Sequence, residues 1–162
     1  LVGSEMCIRD RDDFRRLRAN VLGMVDAMPS SGLRSAPADG VRDFARQIEH
    51  IAVGAVNIIV HGVDEPRVEL GMDPERYLND KDALKAFVNL AFDRVDSLLS
   101  EMTPQDLETP GSLFGQLQRP RWVIVGVAYE HGVWTLGATV PYLRLAGASP
   151  PGYNLVPGGG GA

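Results

Sequence analysis

The segment 80–102 constrains the fold more than any other stretch of the chain. Leu84, Phe87, Val88, Ala91, Val95, Leu98 and Met102 recur at three- and four-residue spacing, the repeat of one face of an α-helix. Thr103-Pro104 closes it, because the residue before a proline is pushed out of the helical region. Three more patterns of this kind follow from the sequence. The first, about 13–28, places Phe14, Leu17, Val21, Val25 and Met28 on one face; Asp12 or Asp13 is its expected cap and Pro29-Ser30-Ser31-Gly32 its stop. The second, about 40–62, carries Val41, Phe44, Ile48, Ile51, Ala55 and Ile58, with Asp39 as N-cap and Gly62 as terminator. The last, about 121–146, is apolar almost all round from Trp122 to Val140, which predicts a buried helix, and Pro141 is expected to kink it near Gly137. Asp73-Pro74-Glu75 suits a short helix with proline at its first position. The stretch 104–119 reads as irregular, with a turn at Pro110-Gly111.

Four such helices predict an all-α chain organised as a four-helix bundle. The connections between them are longer than up-down hairpins need, so at least one crossover is expected. A length of 162 residues fits one domain and a core that requires no disulfide or metal. Sixteen Lys and Arg stand against 21 Asp and Glu, a formal charge of −5, which argues against a general nucleic-acid binder, since such a protein gains affinity by releasing counterions to a basic patch. No run of about 18 uncharged apolar residues occurs, so no membrane span is expected. One cysteine excludes a disulfide framework and a thiolate zinc cluster.

Residues 1–11 lack an apolar period and a cap, which predicts neither a signal peptide nor a good helix. They resemble one translated reading frame of a sequencing-library adapter, and on that reading 1–11 is a non-native leader that takes the only cysteine, Cys7, with it. The remaining composition fits a cytoplasmic protein. The domain is then 12–156, and Pro157-Gly158-Gly159-Gly160-Gly161-Ala162 is expected to be a flexible tail.

Chemistry-bearing side chains are few. Of three histidines, His50 and His61 fall on the second helix and His131 on the fourth. His50 lies off the apolar face of its helix, on an arc shared with Asp43, Gln47, Gly54, Asn57 and His61; that arc is either solvated surface or the wall of a polar cleft within the bundle. His61 is roughly 16 Å along the axis from His50 at about 1.5 Å per residue, too far to share an ion with it, and suits the negative end of the helix. His131, on an apolar helix, is either a satisfied core histidine or a ligand that converges with His50, as in sites built between bundle helices. Two imidazoles are too few for tight zinc. No phosphate-binding glycine loop and no G-x-S-x-G occur. Glu130 and Asp93 could pair only through the fold, and Asp93-Arg94 and Arg46-Glu49 read as helix-surface charges.

The run Glu130-His131-Gly132-Val133-Trp134-Thr135-Leu136-Gly137, followed by Tyr142-Leu143-Arg144-Leu145-Ala146-Gly147-Ala148-Ser149-Pro150-Pro151, resembles the C-terminal signature of the DinB superfamily, H-x-x-x-H-x-G-Q and then Y-L-R-L, Gly and Pro-Pro. Arg46-Gln47-Ile48-Glu49-His50-Ile51 resembles the histidine segment of that family's second helix, and Lys81 to Leu99 its third. The resemblance spans about 12–156. It implies a four-helix bundle with up-down-down-up connection, often a homodimer, and a divalent metal, zinc or nickel, held by three histidines in a cleft. It implies also a small-molecule substrate and transferase or isomerase chemistry with a small thiol, which a metal would deprotonate. On this resemblance His50 is the first ligand and His131 the second. The third position falls on Thr135, a poor ligand for zinc or nickel, and the signature Gln falls on Ala138. Glu130 beside His131 points about 100° away around the helix and would strain a shared site.

Two readings follow. One is a DinB-like transferase or hydrolase with an incomplete metal site at His50 and His131, acting with a small thiol or water. The other is a metal-free bundle that binds a small apolar ligand or a partner, with Trp122, Tyr129, Trp134 and Tyr142 as candidate cleft residues.

Overall fold

A computed structural model describes residues 2–63 and 67–155, with side chains from Arg9 onward. The glycine tail expected at 157–162 lies outside the described residues. The elements run α1 (Val2–Ala27), a 3-10 turn (Ser30–Gly32), α2 (Phe44–Gly62), α3 (Pro74–Tyr77), α4 (Lys81–Glu101), α5 (Pro104–Glu108), β1 (Pro110–Leu113), β2 (Leu117–Pro120), α6 (Arg121–Gly137) and α7 (Val140–Leu145). The chain is a mostly helical bundle in which α1, α2, α4 and α6 supply the core.

The stripes read from the sequence are the faces that are buried. Leu17, Val21 and Val25 of α1 meet Ile48, Ile51 and Ala55 of α2, Leu84, Val88 and Val95 of α4, and Ile124 and Leu136 of α6 in one cluster. α4 packs on α1 and α2, and α6 packs on α2 and α1, so the neighbours around the bundle run α1, α4, α2, α6. Helices adjacent in sequence, α1 with α2 and α4 with α6, therefore stand across the bundle from each other, which is what the long connections are for. Partly exposed ion pairs tie α1 to α4: Arg11 grips Asp96 through two nitrogens at 2.9 and 2.8 Å, and Arg18 meets Asp93 at 2.7 Å. Such pairs add little stability at a solvated seam and mainly fix register.

Capping residues decide the helix starts. Asp43, not Asp39, caps α2, its carboxylate accepting from the Arg46 N–H at 2.8 Å. The helix accordingly begins at Phe44, and Val41, expected on its apolar face, is left in the preceding loop, 46% exposed. Asp80 caps α4 by accepting from Ala83 N–H at 2.7 Å, and Asp73 caps the short α3 with Pro74 in its first turn. Asp12 and Asp13 cap nothing. They lie inside α1 and pair one turn ahead with Arg15 at 3.0 Å and Arg16 at 2.7 Å. α1 runs unbroken from Val2, contrary to the expectation that the opening forms no good helix. Once a packed helix is nucleated, each added residue gains a hydrogen bond, so extension needs no apolar pattern of its own.

Two further expectations change. The stretch read as irregular holds α5, closed by a reciprocal box between Thr103 and Asp106, and an antiparallel hairpin pairing Pro110 with Pro120 and Leu113 with Leu117. Two four-residue strands leave no alternating pattern long enough to be recognised. The fourth helix is not buried all round. Trp122, Gly126, Glu130 and Trp134, at four-residue spacing, form an exposed strip, and Trp134 is 82% exposed. Apolar composition does not select which face packs when the neighbouring elements cover only part of the helix. The proline break is as expected: α6 stops at Gly137, and α7 starts afresh with Pro141 in its first turn.

The chain closes on α1. The Asn20 side chain donates to the Asn154 carbonyl at 3.2 Å and accepts from the Asn154 N–H at 2.8 Å, while Arg16 donates to the Leu155 carbonyl.

At the far end of α2 the packing leaves no room for side chains. A Cβ on Gly62 would sit 2.8 Å from Ile124 Cγ2, and one on Gly111 would sit 1.9 Å from the Gly62 carbonyl oxygen. Replacing Gly111 with Ala drives a methyl into backbone, and we predict a loss of about 1–3 kcal/mol in urea unfolding. Gly126→Ala, on the exposed strip with nothing within 4 Å, is the matched control and should leave stability unchanged or raise it slightly. Equal behaviour of the two variants would contradict this packing.

Candidate functional site

α2 and α6 are packed face to face, and this contact brings together the two histidines that the sequence placed on separate helices. His50 Nε2 lies 3.3 Å from His131 Nε2, with ring centroids 4.9 Å apart and planes at 78°. At His50 and Gly54 the arc faces α6 rather than open solvent. Gly54, one turn beyond His50, makes the approach possible: a Cβ there would lie 2.5 Å from His131 Cε1 and 2.9 Å from Nδ1. The His131 ring thus occupies the space that a side chain at position 54 would fill.

Both imidazoles are half-buried and lose basicity. Burial is the main cause for His50, followed by the positive charge of Arg42 and then by His131; for His131 burial again leads and Arg42 follows. The neutral forms are favoured, and one Nε2 can donate to the other. His131 Nδ1 is buried without a hydrogen-bond partner. A buried imidazole nitrogen left in this way costs free energy in either tautomer, as an undonated N–H or as an unused lone pair.

Two nitrogens each about 2.0–2.1 Å from one tetrahedral ion stand roughly 3.3–3.4 Å apart. The observed 3.3 Å therefore fits two ligands of a common metal. The rest of the donor set does not fit. Among the described residues no three His, Cys, Asp or Glu side chains come together to hold an ion. Thr135, where the resemblance leads one to expect a third ligand, is buried at 5% exposure one turn beyond His131 and offers only a neutral hydroxyl. A ligating histidine ordinarily donates its other nitrogen to an oxygen that fixes ring and tautomer, and His131 Nδ1 has no such acceptor.

The other candidates lie elsewhere or are engaged. His61 sits in the last turn of α2 beside Phe114, with ring centroids 6.4 Å apart. Asp93 is held by Arg18, and Glu130 lies on the exposed strip. Glu49, next to His50, accepts from the Tyr77 hydroxyl and faces Arg46 at 3.7 Å. Of the aromatic residues, Tyr142 borders the cleft and donates to the Arg42 carbonyl at 2.8 Å. Tyr129 is bound to Arg16 at the α1 seam, and Trp122 and Trp134 face outward. Two residues of the site escaped the sequence reading. Gly54 was visible only as a member of the His50 arc, and Arg42 lies in the loop ahead of the cap, where no periodicity marks it.

The family model described as the DinB superfamily matches residues 13–133. This chain belongs to the DinB superfamily. The match takes in both paired histidines and ends before Thr135. The bundle also resembles the crystal structure of a DinB-like protein from Bacillus cereus ATCC 10987, with a TM-score of 0.70 and 21% sequence identity, covering 86% of this chain and 92% of that one. At that identity the likeness is one of fold. No curated protein matches the chain. DinB proteins are generally associated with metals. Among the described residues no helix is long and apolar enough to cross a membrane.

The depressed basicity of the pair sets a sign for pH dependence. The unfolded histidines take up protons from about pH 6.5 downward, while the folded ones resist until lower pH. Their contribution to stability is therefore present above about pH 6.5 and lost as pH falls through the folded values. We predict that the melting temperature of the wild type drops more between pH 7 and pH 5 than that of His50→Gln/His131→Gln. Parallel curves for the two proteins would show that the imidazoles are not held neutral.

Proposed function

We propose that this DinB-superfamily protein binds a small molecule in the α2–α6 cleft and that His50 and His131 form a two-imidazole metal centre that holds a divalent ion weakly. The observation that carries the reading is the 3.3 Å separation of the two Nε2 atoms, together with a third position occupied by Thr135. Zinc or nickel held there would supply the positive charge that deprotonates a small thiol or water for transferase or hydrolase chemistry. The residues themselves position two neutral imidazoles at the mouth of a half-buried cleft. A second reading, a metal-free binding protein, is favoured by one specific feature. The orphaned His131 Nδ1 deprives that ring of the partner that would fix it as a ligand.

Titration of the metal-free protein with zinc and nickel, followed by calorimetry, separates the two. We expect one weak site, abolished in His50→Ala and in His131→Ala. Thr135→His restores a third imidazole on the same helix face as His131 and should tighten binding on the order of a hundredfold. Tight stoichiometric metal in the wild type would overturn the incomplete centre. No binding in either the wild type or Thr135→His would leave the metal-free reading in its place.

A further inference from the structure

The opening beside His50 is basic in an acidic protein. A cavity of about 220 Å³ is lined by Arg42, Arg46, Arg67, Glu49, Val53 and His50. Three guanidinium groups thus face one carboxylate in a chain whose formal charge is −5. The carboxylate is already engaged, because Glu49 accepts from Tyr77 and lies 3.7 Å from Arg46. Among the described residues neither Arg42 nor Arg67 has a salt-bridge partner. A local excess of cations against the overall charge concentrates anions at a cleft, and guanidinium groups match the two oxygens of a carboxylate.

Arg42 has a second neighbourhood. It also borders an adjoining cavity of about 650 Å³, whose wall includes Pro37, Val41, Pro141 and Tyr142. The basic cavity and this wider, partly apolar one, which Gln47 also lines, therefore share one arginine. Its backbone is fixed by the Tyr142 hydroxyl, which donates to the Arg42 carbonyl, so the guanidinium extends from a held point.

We propose that the cleft binds a small organic acid, with its carboxylate on Arg42 and Arg67 beside His50 and its apolar body against Val41, Pro141 and Tyr142. The proposal takes from the function argued above only that ligands enter by this cleft, and it needs no metal.

The test uses protein freed of metal with EDTA and three probes: phenylacetate, its neutral analogue phenylacetamide, and inorganic phosphate. Binding is followed through the imidazole NMR signals of His50 and His131. Phenylacetate should shift both signals saturably, and phenylacetamide should bind at least about tenfold more weakly, since it forfeits a charge-assisted contact. Arg42→Gln leaves the Tyr142 contact intact, because that contact is to the backbone; it should keep the wild-type melting temperature and weaken phenylacetate binding about tenfold or more. Equal binding of acid and amide, or undiminished binding in Arg42→Gln/Arg67→Gln, would overturn the proposal. Phosphate binding as tightly as phenylacetate would overturn the apolar half of it. Since no metal is present, failure here leaves the metal titration standing, and failure there leaves this result standing.

Discussion

The close contact between α2 and α6 governs the rest of the molecule. It is made possible by side chains that are absent. Gly54 gives its space to the His131 ring, Gly62 gives its space to Ile124, and Gly111 brings the hairpin down onto the end of α2. With a methyl at any of these places the two helices or the hairpin would have to separate by a few tenths of an ångström or more. Packed cores resist such adjustments, so the cost falls on the whole seam. The distance between the two Nε2 atoms is a property of this seam rather than of either histidine.

The bundle was legible because its information is local and redundant. Each main helix carries five or more apolar residues at helical spacing, and the α4 stripe alone marks its buried face, while Thr103-Pro104 lies just past its C-cap at Met102. Where a single residue decides, legibility falls. Asp39 and Asp43 are equal candidates for the α2 cap by residue type, and the structure settles on Asp43 through one hydrogen bond. The hairpin at 110–120 is held by pairing and by its seat on α2, neither of which is written in a four-residue pattern. For α6 the apolar count gave the helix but not its orientation, because Trp122 and Trp134 are as apolar as the residues that are buried.

The histidine pair was legible in its members and not in its surroundings. His50 and His131 were identifiable as rare side chains on two helices, and the resemblance to the DinB superfamily gave them an order. Their meeting depends on Gly54, and their low basicity depends on burial and on Arg42, which belong to tertiary structure. The departure at Thr135 from the signature that the chain resembles is plain in the sequence. The pair has a spacing that suits one ion, and among the described residues no third donor joins it and no partner meets His131 Nδ1.

The central claim, that the α2–α6 seam presents two imidazoles and no third to one ion, is tested most directly by X-ray absorption at the zinc edge of protein loaded with one equivalent of zinc. The account predicts two imidazole nitrogens at about 2.0–2.1 Å, with the remaining positions filled by oxygen from solvent. A shell with three imidazoles, or with only one, would contradict it.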